Sequence, residues 1–177
     1  PFTITIPESV LLDLRQRLNN VRWPDELPGV SWDYGSNLDY LKELVRYWAT
    51  EFDWRAQERK LNTFQQFKSQ VEGLNIHFIY EKGKGPNPLP ILITHGWPST
   101  FYEMHKIIPL LSDPASYGGD PSDAFDVVAP SLPGFGFSDS APRPGMDVGK
   151  VSGMWNQLMT LNLGYKQYGA HGGDLGA

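Results

Sequence analysis

The last seven residues of the chain, His171 to Ala177, carry the pattern that most restricts its fold. They read His-Gly-Gly-Asp-Leu-Gly-Ala, with a small residue two positions before Asp174 and two more at the second and third positions after it. This spacing is typical of a nucleophile elbow, a sharp strand-to-helix turn that raises one side chain above a sheet. Small residues are needed there because the strand and the helix pass too close for larger side chains. The pattern predicts a strand, a turn with Asp174 at its tip, and a following helix.

An aspartate at the tip of an elbow favours a particular class of reaction. A carboxylate, with a reference pKa of about 3.9, is ionised at neutral pH and attacks without the base that a serine requires. Attack on a saturated carbon gives an alkyl ester that water can cleave, whereas a serine would leave a stable ether. Asp174 therefore indicates substrates with an electrophilic saturated carbon, either epoxides or alkyl halides. The alternative is an ordinary turn aspartate, since Gly-Gly-Asp is a common turn composition.

A second motif follows the apolar run 89–94, which predicts a buried parallel strand. The run leads into His-Gly-Trp-Pro at 95–98. A turn of this kind is typical of the loop that donates one N–H of an oxyanion hole, the other coming from the residue after the nucleophile. The predicted donors are the main-chain amides of Trp97 and Leu175. We interpret His95 as a structural histidine that bonds its own loop; the Trp97 ring either packs in the core or lines the pocket.

A third motif lies between these two. Residues 125–130 predict another buried strand, and the loop 131–138 that follows is rich in glycine and proline. The loop lacks the third glycine of a dinucleotide fingerprint, and no helix opens there. Loops at the carboxyl edge of such strands hold ligand contacts in open α/β sheets. Phe135 is therefore a candidate wall of the substrate pocket, with a loop aromatic anchored in the core as the alternative.

The chain divides by pattern into residues 1–85 and 86–177. The first segment predicts three helices, beginning after Pro7, Ser36 and Asp53, and then an antiparallel strand pair. The second predicts strands that alternate with helices, which indicates an α/β fold with a parallel sheet. The remaining elements are expected at 64–71 and 74–80 (strands), 99–111 and 147–162 (helices) and 166–170 (the elbow strand). Six aromatic residues of the first segment are expected to be buried against the catalytic domain and its cap: Trp23, Trp32, Tyr34, Tyr40, Trp48 and Trp54.

Composition excludes several classes of partner. A net charge of −5 without a Lys/Arg cluster argues against nucleic acid. No apolar stretch approaches the ~20 residues that cross a bilayer, and no signal-peptide pattern opens the chain, so we expect a soluble protein. The absence of cysteine excludes disulfides and thiolate metal sites and fits a cytoplasmic location. No His, Asp and Glu residues have metal-ligand spacing, so we expect neither a metal nor a cofactor.

With these motifs in order, the chain resembles the epoxide hydrolases of the α/β-hydrolase fold, in particular the microsomal-type branch with its N-terminal extension. The resemblance spans essentially all 177 residues. Besides the three motifs above, it rests on the following segments: Leu14–Leu18, Arg22–Asp25, Tyr40–Leu44, Asp53–Arg55 and Gly73–Phe78.

The resemblance implies roles for some residues of this chain. Asp174 matches the nucleophile, and Trp97 and Leu175 match the two amide donors; the family usually has tryptophan where this chain has Leu175. The family's charge-relay acid, its general-base histidine and its two lid tyrosines would lie beyond Ala177. The resemblance therefore implies the first part of an α/β-hydrolase sheet, truncated after the elbow. It also implies a small epoxide as substrate.

The truncation suggests what this chain needs and leaves rival functions open. An elbow strand without its next neighbours would be an exposed sheet edge, so we expect the chain to be incomplete and inactive alone. It would need a longer polypeptide or a complementing chain, with a homo-oligomer as a further open arrangement. The rivals are a haloalkane dehalogenase-like hydrolase, which uses the same elbow aspartate, and a non-catalytic structural or binding half.

Overall fold

The computed structural model describes all 177 residues, and their contacts divide them into two compact units. One unit is Ile4–Leu61, and the other combines Pro1–Thr3 with Asn62–Ala177. The first is helical, and the second contains the sheet. These units describe packing; the sequence-based segments 1–85 and 86–177 stay a prediction.

The helical unit contains α1 (Glu8–Asn19), α2 (Leu38–Thr50) and α3 (Trp54–Leu61). Asp53 caps α3 as predicted, because its Oδ1 accepts a hydrogen bond from the Ala56 amide at 3.0 Å.

The predicted cap of α2 is wrong by one position. Asn37, rather than Ser36, caps this helix, since Asn37 Oδ1 accepts from the Tyr40 amide at 2.9 Å. Asparagine and serine are similarly good N-caps, so the sequence alone does not separate the two neighbours.

A network of charged side chains within this unit fastens α3 to the segment before α1. Arg55 Nη1 donates to the Ile6 carbonyl and to Glu58 Oε2, both at 2.8 Å. Glu58 Oε1 accepts from the Ile6 amide at 2.7 Å. This amide, together with Arg55, holds the pKa of the Glu58 carboxyl below its usual value.

Five of the six aromatic residues expected to be buried are exposed within these 177 residues, and their burial against the catalytic domain and its cap stays a prediction. Trp54 is half-buried and its Nε1 donates to Glu58 Oε1 at 3.3 Å. Leu11 and Leu61 are the buried residues of these helices. The other five rings are between 39% and 80% exposed: Trp23, Trp32, Tyr34, Tyr40 and Trp48.

The second unit is built on a five-stranded mixed sheet in the order β1-β2-β4-β3-β5. The first three strands in this order pair antiparallel, and β4, β3 and β5 pair parallel. Because the carboxyl ends of parallel strands meet at one edge, the loops after β3, β4 and β5 converge there. The strands are β1 (Gln66–Val71), β2 (Leu74–Glu81), β3 (Leu89–Thr94), β4 (Phe125–Pro130) and β5 (Gly169–Gly172).

Two helical connections join the parallel strands, and the first differs from the prediction. Between β3 and β4 the chain forms a 3-10 turn over Phe101–Lys106 and then α4 (Ile107–Ser112), instead of one α-helix over 99–111. The ring of Pro109 would collide with the carbonyl of the residue four positions earlier in an α-helix, which explains the late start. An α-helix containing both His105 and Pro109 is therefore disfavoured.

The second connection agrees with the sequence at its start. It is α5 (Val148–Gln157), capped by Asp147, whose Oδ1 accepts from the Lys150 amide at 2.8 Å. A π-helical turn over Leu158–Asn162 extends it.

The elbow strand begins three residues later than predicted. Instead of 166–170, β5 is Gly169–Gly172, with Gly169 opposite Ile91 of β3. Tyr165 explains the shift, because its hydroxyl donates to Asp126 Oδ2 at 2.5 Å and holds the preceding segment in a loop.

The largest buried cluster packs α5 and its extension against one face of the sheet. Successive side chains of a strand alternate between faces, so Ile76 and Phe78 of β2 join this cluster while His77 and Ile79 lie outside it. The other fully or nearly fully buried members are Val71, Leu74, Leu92, Val128, Leu132, Met154, Trp155, Leu158 and Met159.

A buried carboxylate lies at the edge of the sheet opposite to the one where the loops after β3, β4 and β5 converge. Asp126 lies at the amino end of β4, where its Oδ2 accepts from Lys82 Nζ at 2.8 Å and from the Tyr165 hydroxyl. Its Oδ1 accepts from the Gly83 amide at 2.9 Å. Although burial opposes ionisation, these donors hold the pKa of Asp126 below its usual value.

We expect Asp126→Asn to lower the free energy of unfolding by about 2 kcal/mol, since the variant leaves a buried charged hydrogen-bond network short of its acceptor. Denaturant unfolding followed by tryptophan fluorescence measures the change. Asp13→Asn is the matched control: it removes the exposed ion pair with Arg17 and should cost no more than about 0.5 kcal/mol. Equal losses in the two variants would contradict the assigned role of Asp126.

Candidate active site

The turn after β5 has the backbone of a nucleophile elbow. Asp174 follows the strand with φ of 56°, a left-handed conformation that non-glycine residues rarely adopt. A single 3-10 turn, Asp174–Gly176, begins at this residue. The conformation carries strain, which is common where a side chain is held out for function.

The small residues around Asp174 are required by contacts between main-chain segments. A Cβ at Gly172 would overlap the Gly176 carbonyl, and a Cβ at Gly176 would overlap the carbonyl of Thr94 at the end of β3. Larger side chains would therefore separate the turn from the neighbouring strand. This is the geometric reason for the spacing seen in the sequence.

Two main-chain amides converge on the Asp174 carboxylate. The Trp97 amide donates to Asp174 Oδ1 at 2.9 Å, and the Leu175 amide also hydrogen-bonds the carboxylate. Both amides hold the Asp174 pKa below its usual value. The Trp97 amide has the larger effect and the Leu175 amide the second largest. The two residues singled out as donors in the sequence thus lie beside the residue singled out as nucleophile.

The approach of the β3 loop to Asp174 depends on Gly96. A Cβ built on Gly96 would lie 2.7 Å from Asp174 Cβ and 3.1 Å from its Oδ1. Real Cβ atoms essentially never approach another atom as closely as 2.7 Å, so a side chain at this position would move the loop or the aspartate.

Three of the four histidines of the chain, His77, His95 and His105, make local hydrogen bonds. Both ring nitrogens of His95 are engaged, Nδ1 with the Gly96 carbonyl at 2.9 Å and Nε2 with the Leu132 amide at 3.1 Å. His77 is fully buried, and its ring nitrogens bind Ser131 and Gln66. The exposed His171 lies in β5.

Burial affects the pKa values of both buried histidines. It lowers the pKa of His77 to about 3, and it also lowers the pKa of His95. Both rings are therefore neutral at physiological pH. His105 is half-buried, stacks on Tyr102 with ring centroids 4.1 Å apart, and binds the Tyr102 carbonyl at 2.8 Å.

An open apolar groove of about 340 Å³ lies beside the elbow. Phe135 lines it, as does the side chain of Leu175, and the half-buried Phe135 ring also packs against the core cluster. The contacts of Phe135 therefore agree with both interpretations, as a wall of the groove and as an aromatic ring anchored in the core. The ring of Trp97 is 63% exposed and is not part of the groove lining. The remaining lining residues are Leu132, Pro133, Met146, Asp147, Val148 and Val151.

The loop that carries Phe135 is fixed to β2 at its far end. Ser138 Oγ accepts from the His77 amide at 3.0 Å and donates to the Ser131 carbonyl at 2.7 Å. Asp139 Oδ2 accepts from the main-chain and side-chain amides of Asn75 at 2.9 and 2.8 Å. These contacts hold the groove wall in place, although the loop has no regular secondary structure.

Apart from His95, the residues that hold the loops of the site could not be identified from the sequence. Leu132 contributes a main-chain amide, so its side chain gives no sequence signal. Ser138 and Asp139 lie at the end of the glycine- and proline-rich run, and their short polar side chains, which favour turns, were the available signal.

Comparison with known proteins assigns the chain to a family. The family described as "Epoxide hydrolase N terminus" matches residues 1–104, which is more than half of the chain. The chain belongs to this family. Residues 90–177 match the alpha/beta hydrolase fold, which confirms the fold class expected from the sequence.

Curated relatives extend over the whole chain. It is 47% identical over 177 residues to a protein of Stigmatella aurantiaca that is provisionally named an epoxide hydrolase, and 40% identical over 181 residues to epoxide hydrolase 1 of Oryctolagus cuniculus. All of the chain is covered in both comparisons, but only 40% of each relative. The chain thus spans less than half the length of these relatives.

Solved structures agree in fold. Juvenile hormone epoxide hydrolase from the silkworm Bombyx mori superposes with a TM-score of 0.87 at 36% identity, over 100% of this chain and 47% of that one. The epoxide hydrolase of Aspergillus niger gives 0.84 at 33% identity, over 99% and 46%. No helix of the chain has both the length and the apolar character needed to cross a membrane.

We expect Gly96→Ala to raise the pKa of Asp174, because the added methyl group displaces the Trp97 amide from the carboxylate. Carbon-13 NMR titration of the Asp174 carboxyl measures the shift. Gly153→Ala is the matched control, since a Cβ at Gly153 meets no atom within 4 Å. An unchanged Asp174 titration in Gly96→Ala would show that the short approach does not hold the donor in place.

Proposed function

We propose that this chain is the part of an epoxide hydrolase that supplies the nucleophile and the oxyanion donors. One observation carries the proposal: the amides of Trp97 and Leu175 converge on the carboxylate of Asp174 at the tip of an elbow. A turn aspartate without catalytic purpose would not require two main-chain donors aimed at its side chain. The product would be a vicinal diol.

In the first step, one carboxylate oxygen of Asp174 attacks a ring carbon of the epoxide. We assign the attack to Oδ2, because Oδ1 accepts the hydrogen bond from the Trp97 amide. The ring carbon–oxygen bond breaks, and its electron pair stays on the oxygen, which takes up a proton. The donors keep Asp174 ionised over the physiological pH range, because they lower its pKa.

In the second step, water adds to the carbonyl carbon of the resulting ester. The ester carbonyl oxygen is Oδ1, which already lies against the Trp97 amide, so the negative charge that develops there meets a donor in position. Collapse breaks the bond between the Asp174 carbonyl carbon and Oδ2, and the diol leaves with that oxygen. The oxygen of the water remains in the carboxylate.

The second step needs a base that deprotonates the water. The ring nitrogens of His77 and His95 are occupied by other partners. The resemblance to epoxide hydrolases suggests that the base, its acid partner and two proton-donating tyrosines come from the rest of a longer polypeptide or from a complementing chain. The 40% coverage of the relatives supports this arrangement.

The apolar groove beside Leu175 supports an epoxide with an apolar substituent as the substrate class. Phe135 and Leu175 would contact this substituent while the ring lies over Asp174. The ring of Trp97 would then contribute to the pocket from outside the groove. No metal or cofactor takes part in the proposed steps. The cytoplasmic location suggested by the cysteine-free sequence stays a prediction, as does a homo-oligomer.

The test uses a completed enzyme, defined as this chain joined to the part of the Stigmatella aurantiaca relative that it does not cover. In a single turnover of an aryl or alkyl epoxide in oxygen-18-labelled water, we expect the label in Asp174 and not in the diol. We also expect Asp174→Ala to lower kcat by about a thousandfold or more. Mass spectrometry of the peptide that contains Asp174 locates the label.

Three outcomes would contradict the proposal. Oxygen-18 in the diol after the first turnover would indicate direct attack of water on the epoxide. Halide release from a panel of chloroalkanes, without diol formation from epoxides, would favour the dehalogenase alternative. A completed enzyme that binds epoxides without forming the ester would favour a binding role.

We expect Leu175→Ala to change selectivity more than turnover. The amide donor belongs to the main chain and is retained, so kcat for a short epoxide should stay within about threefold. For an epoxide with a long alkyl substituent, kcat/KM should fall about tenfold, because apolar contact in the groove is lost. Leu161→Ala, at a residue that is 79% exposed, is the control. Equal losses for both substrates would indicate that Leu175 does not contact the substituent.

A further inference from the structure

We propose that His95 is a positioning residue that orients the peptide group between Gly96 and Trp97, so that its N–H faces Asp174. The catalytic consequence of this inference rests on the function proposed above. The geometric consequence, the placement of the amide on the carboxylate, does not depend on it.

The two partners of His95 define its tautomer. The Leu132 main-chain N–H can only donate, so His95 Nε2, which lies 3.1 Å from it, must accept. The Gly96 carbonyl can only accept, so Nδ1, at 2.9 Å, must carry the proton. A neutral ring with both nitrogens engaged satisfies these contacts, and the complete burial of His95 agrees with a neutral ring.

The carbonyl that His95 binds belongs to the same peptide group as the oxyanion donor. In a trans peptide the C=O and N–H point in opposite directions from one rigid plane. A donor that holds the Gly96 oxygen on one side therefore sets the direction of the Trp97 N–H on the other, where it meets Asp174 Oδ1 at 2.9 Å. The Ser99 amide, at 3.2 Å, is a second and longer donor to the Gly96 carbonyl.

These contacts form one continuous chain of hydrogen bonds. It runs from the Leu132 N–H through the His95 ring to the Gly96 carbonyl, and from the Trp97 N–H to Asp174. Each bond polarises the next in such a chain, so the last donor is stronger than an isolated amide. Through its two nitrogens the ring joins the loop after β3 to the loop after β4.

The ring also connects the donor to the groove wall. His95 packs edge-on against Phe135, with ring centroids 5.6 Å apart. One imidazole thus holds the amide that faces the nucleophile and contacts the aromatic ring that lines the groove. A loss of His95 should therefore affect both features, with the larger effect on the amide that it binds directly.

The experiment compares substitutions of His95 that keep different halves of the chain of hydrogen bonds. The amide nitrogen of His95→Asn can take the place of Nδ1 and donate to the Gly96 carbonyl. The longer His95→Gln places its amide group near Nε2, towards Leu132. His95→Phe removes both contacts. The matched control is His77→Phe, which removes an equally buried ring with two hydrogen bonds that do not reach Gly96 or Trp97.

The first readout needs no turnover. In the full chain, alone and within the completed enzyme, carbon-13 and nitrogen-15 NMR follow the Asp174 carboxyl titration and the Trp97 amide shift. We expect His95→Phe and His95→Gln to raise the Asp174 pKa and to move the Trp97 amide signal upfield. We expect His95→Asn and His77→Phe to leave both close to the unsubstituted protein.

The second readout is steady-state kinetics of the completed enzyme. We expect kcat to fall about 10- to 100-fold in His95→Phe, with KM within about threefold, because the misaligned donor is needed mainly as charge develops in the transition state. His95→Asn should restore kcat to within about fivefold. A purely structural role would instead lower stability without this difference between the asparagine and glutamine variants.

The outcomes separate this inference from the proposed function. An Asp174 titration that does not respond to His95→Phe or His95→Gln, or that responds equally to His77→Phe, overturns the inference even if epoxides are hydrolysed. If His95→Phe does not fold, the comparison of asparagine with glutamine decides, and equal titrations in these two variants overturn it. A titration that responds as expected in an enzyme that never forms the Asp174 ester supports the inference and refutes the proposed function.

Discussion

The whole site depends on the close approach of two main-chain segments at the carboxyl edge of the parallel strands. The loop after β3 lies against the turn after β5, where Gly96 faces Asp174 and Gly176 faces the end of β3. Because neither glycine has a Cβ, the Trp97 amide reaches the carboxylate at 2.9 Å. The left-handed backbone at Asp174 costs free energy, and charge-assisted hydrogen bonds from two amides offset part of that cost.

The same two donors place opposing demands on Asp174. By lowering its pKa they keep the carboxylate ionised, but they also withdraw electron density from it and make it a weaker nucleophile. In the proposed mechanism this arrangement favours the later step, because the oxygen that Trp97 binds is the one that would become an oxyanion when water attacks the ester. The proposed attack on the epoxide uses the second oxygen of the carboxylate.

Features that depend on spacing along the chain could be predicted from the sequence. The elbow around Asp174, the turn after β3 and the cap at Asp147 each lie within a few residues, and glycine, proline and aspartate mark them directly. The start of α4 was missed because Pro109 acts on a carbonyl four residues earlier. The start of β5 was missed because Tyr165 binds Asp126, a partner 39 residues away.

Features that depend on distant main-chain groups could not be predicted. The contact of His95 with the Leu132 amide joins residues 37 positions apart, and any side chain at Leu132 could provide that amide. The sequence therefore identified His95 as structural without showing what it holds. The same limit applies to the rings of the helical unit, since aromatic composition alone does not specify which surface covers a ring.

Placing the donors on the main chain separates the chemistry of the site from its selectivity. The amide of Leu175 binds the carboxylate, whereas its side chain lines the apolar groove. Substitution at this position can therefore change the shape of the groove without removing a donor. The same separation holds at Trp97, whose exposed ring is not needed for its amide to reach Asp174. The residues that cannot vary in this way are the glycines, because any Cβ at Gly96, Gly172 or Gly176 would push the donors and the nucleophile apart.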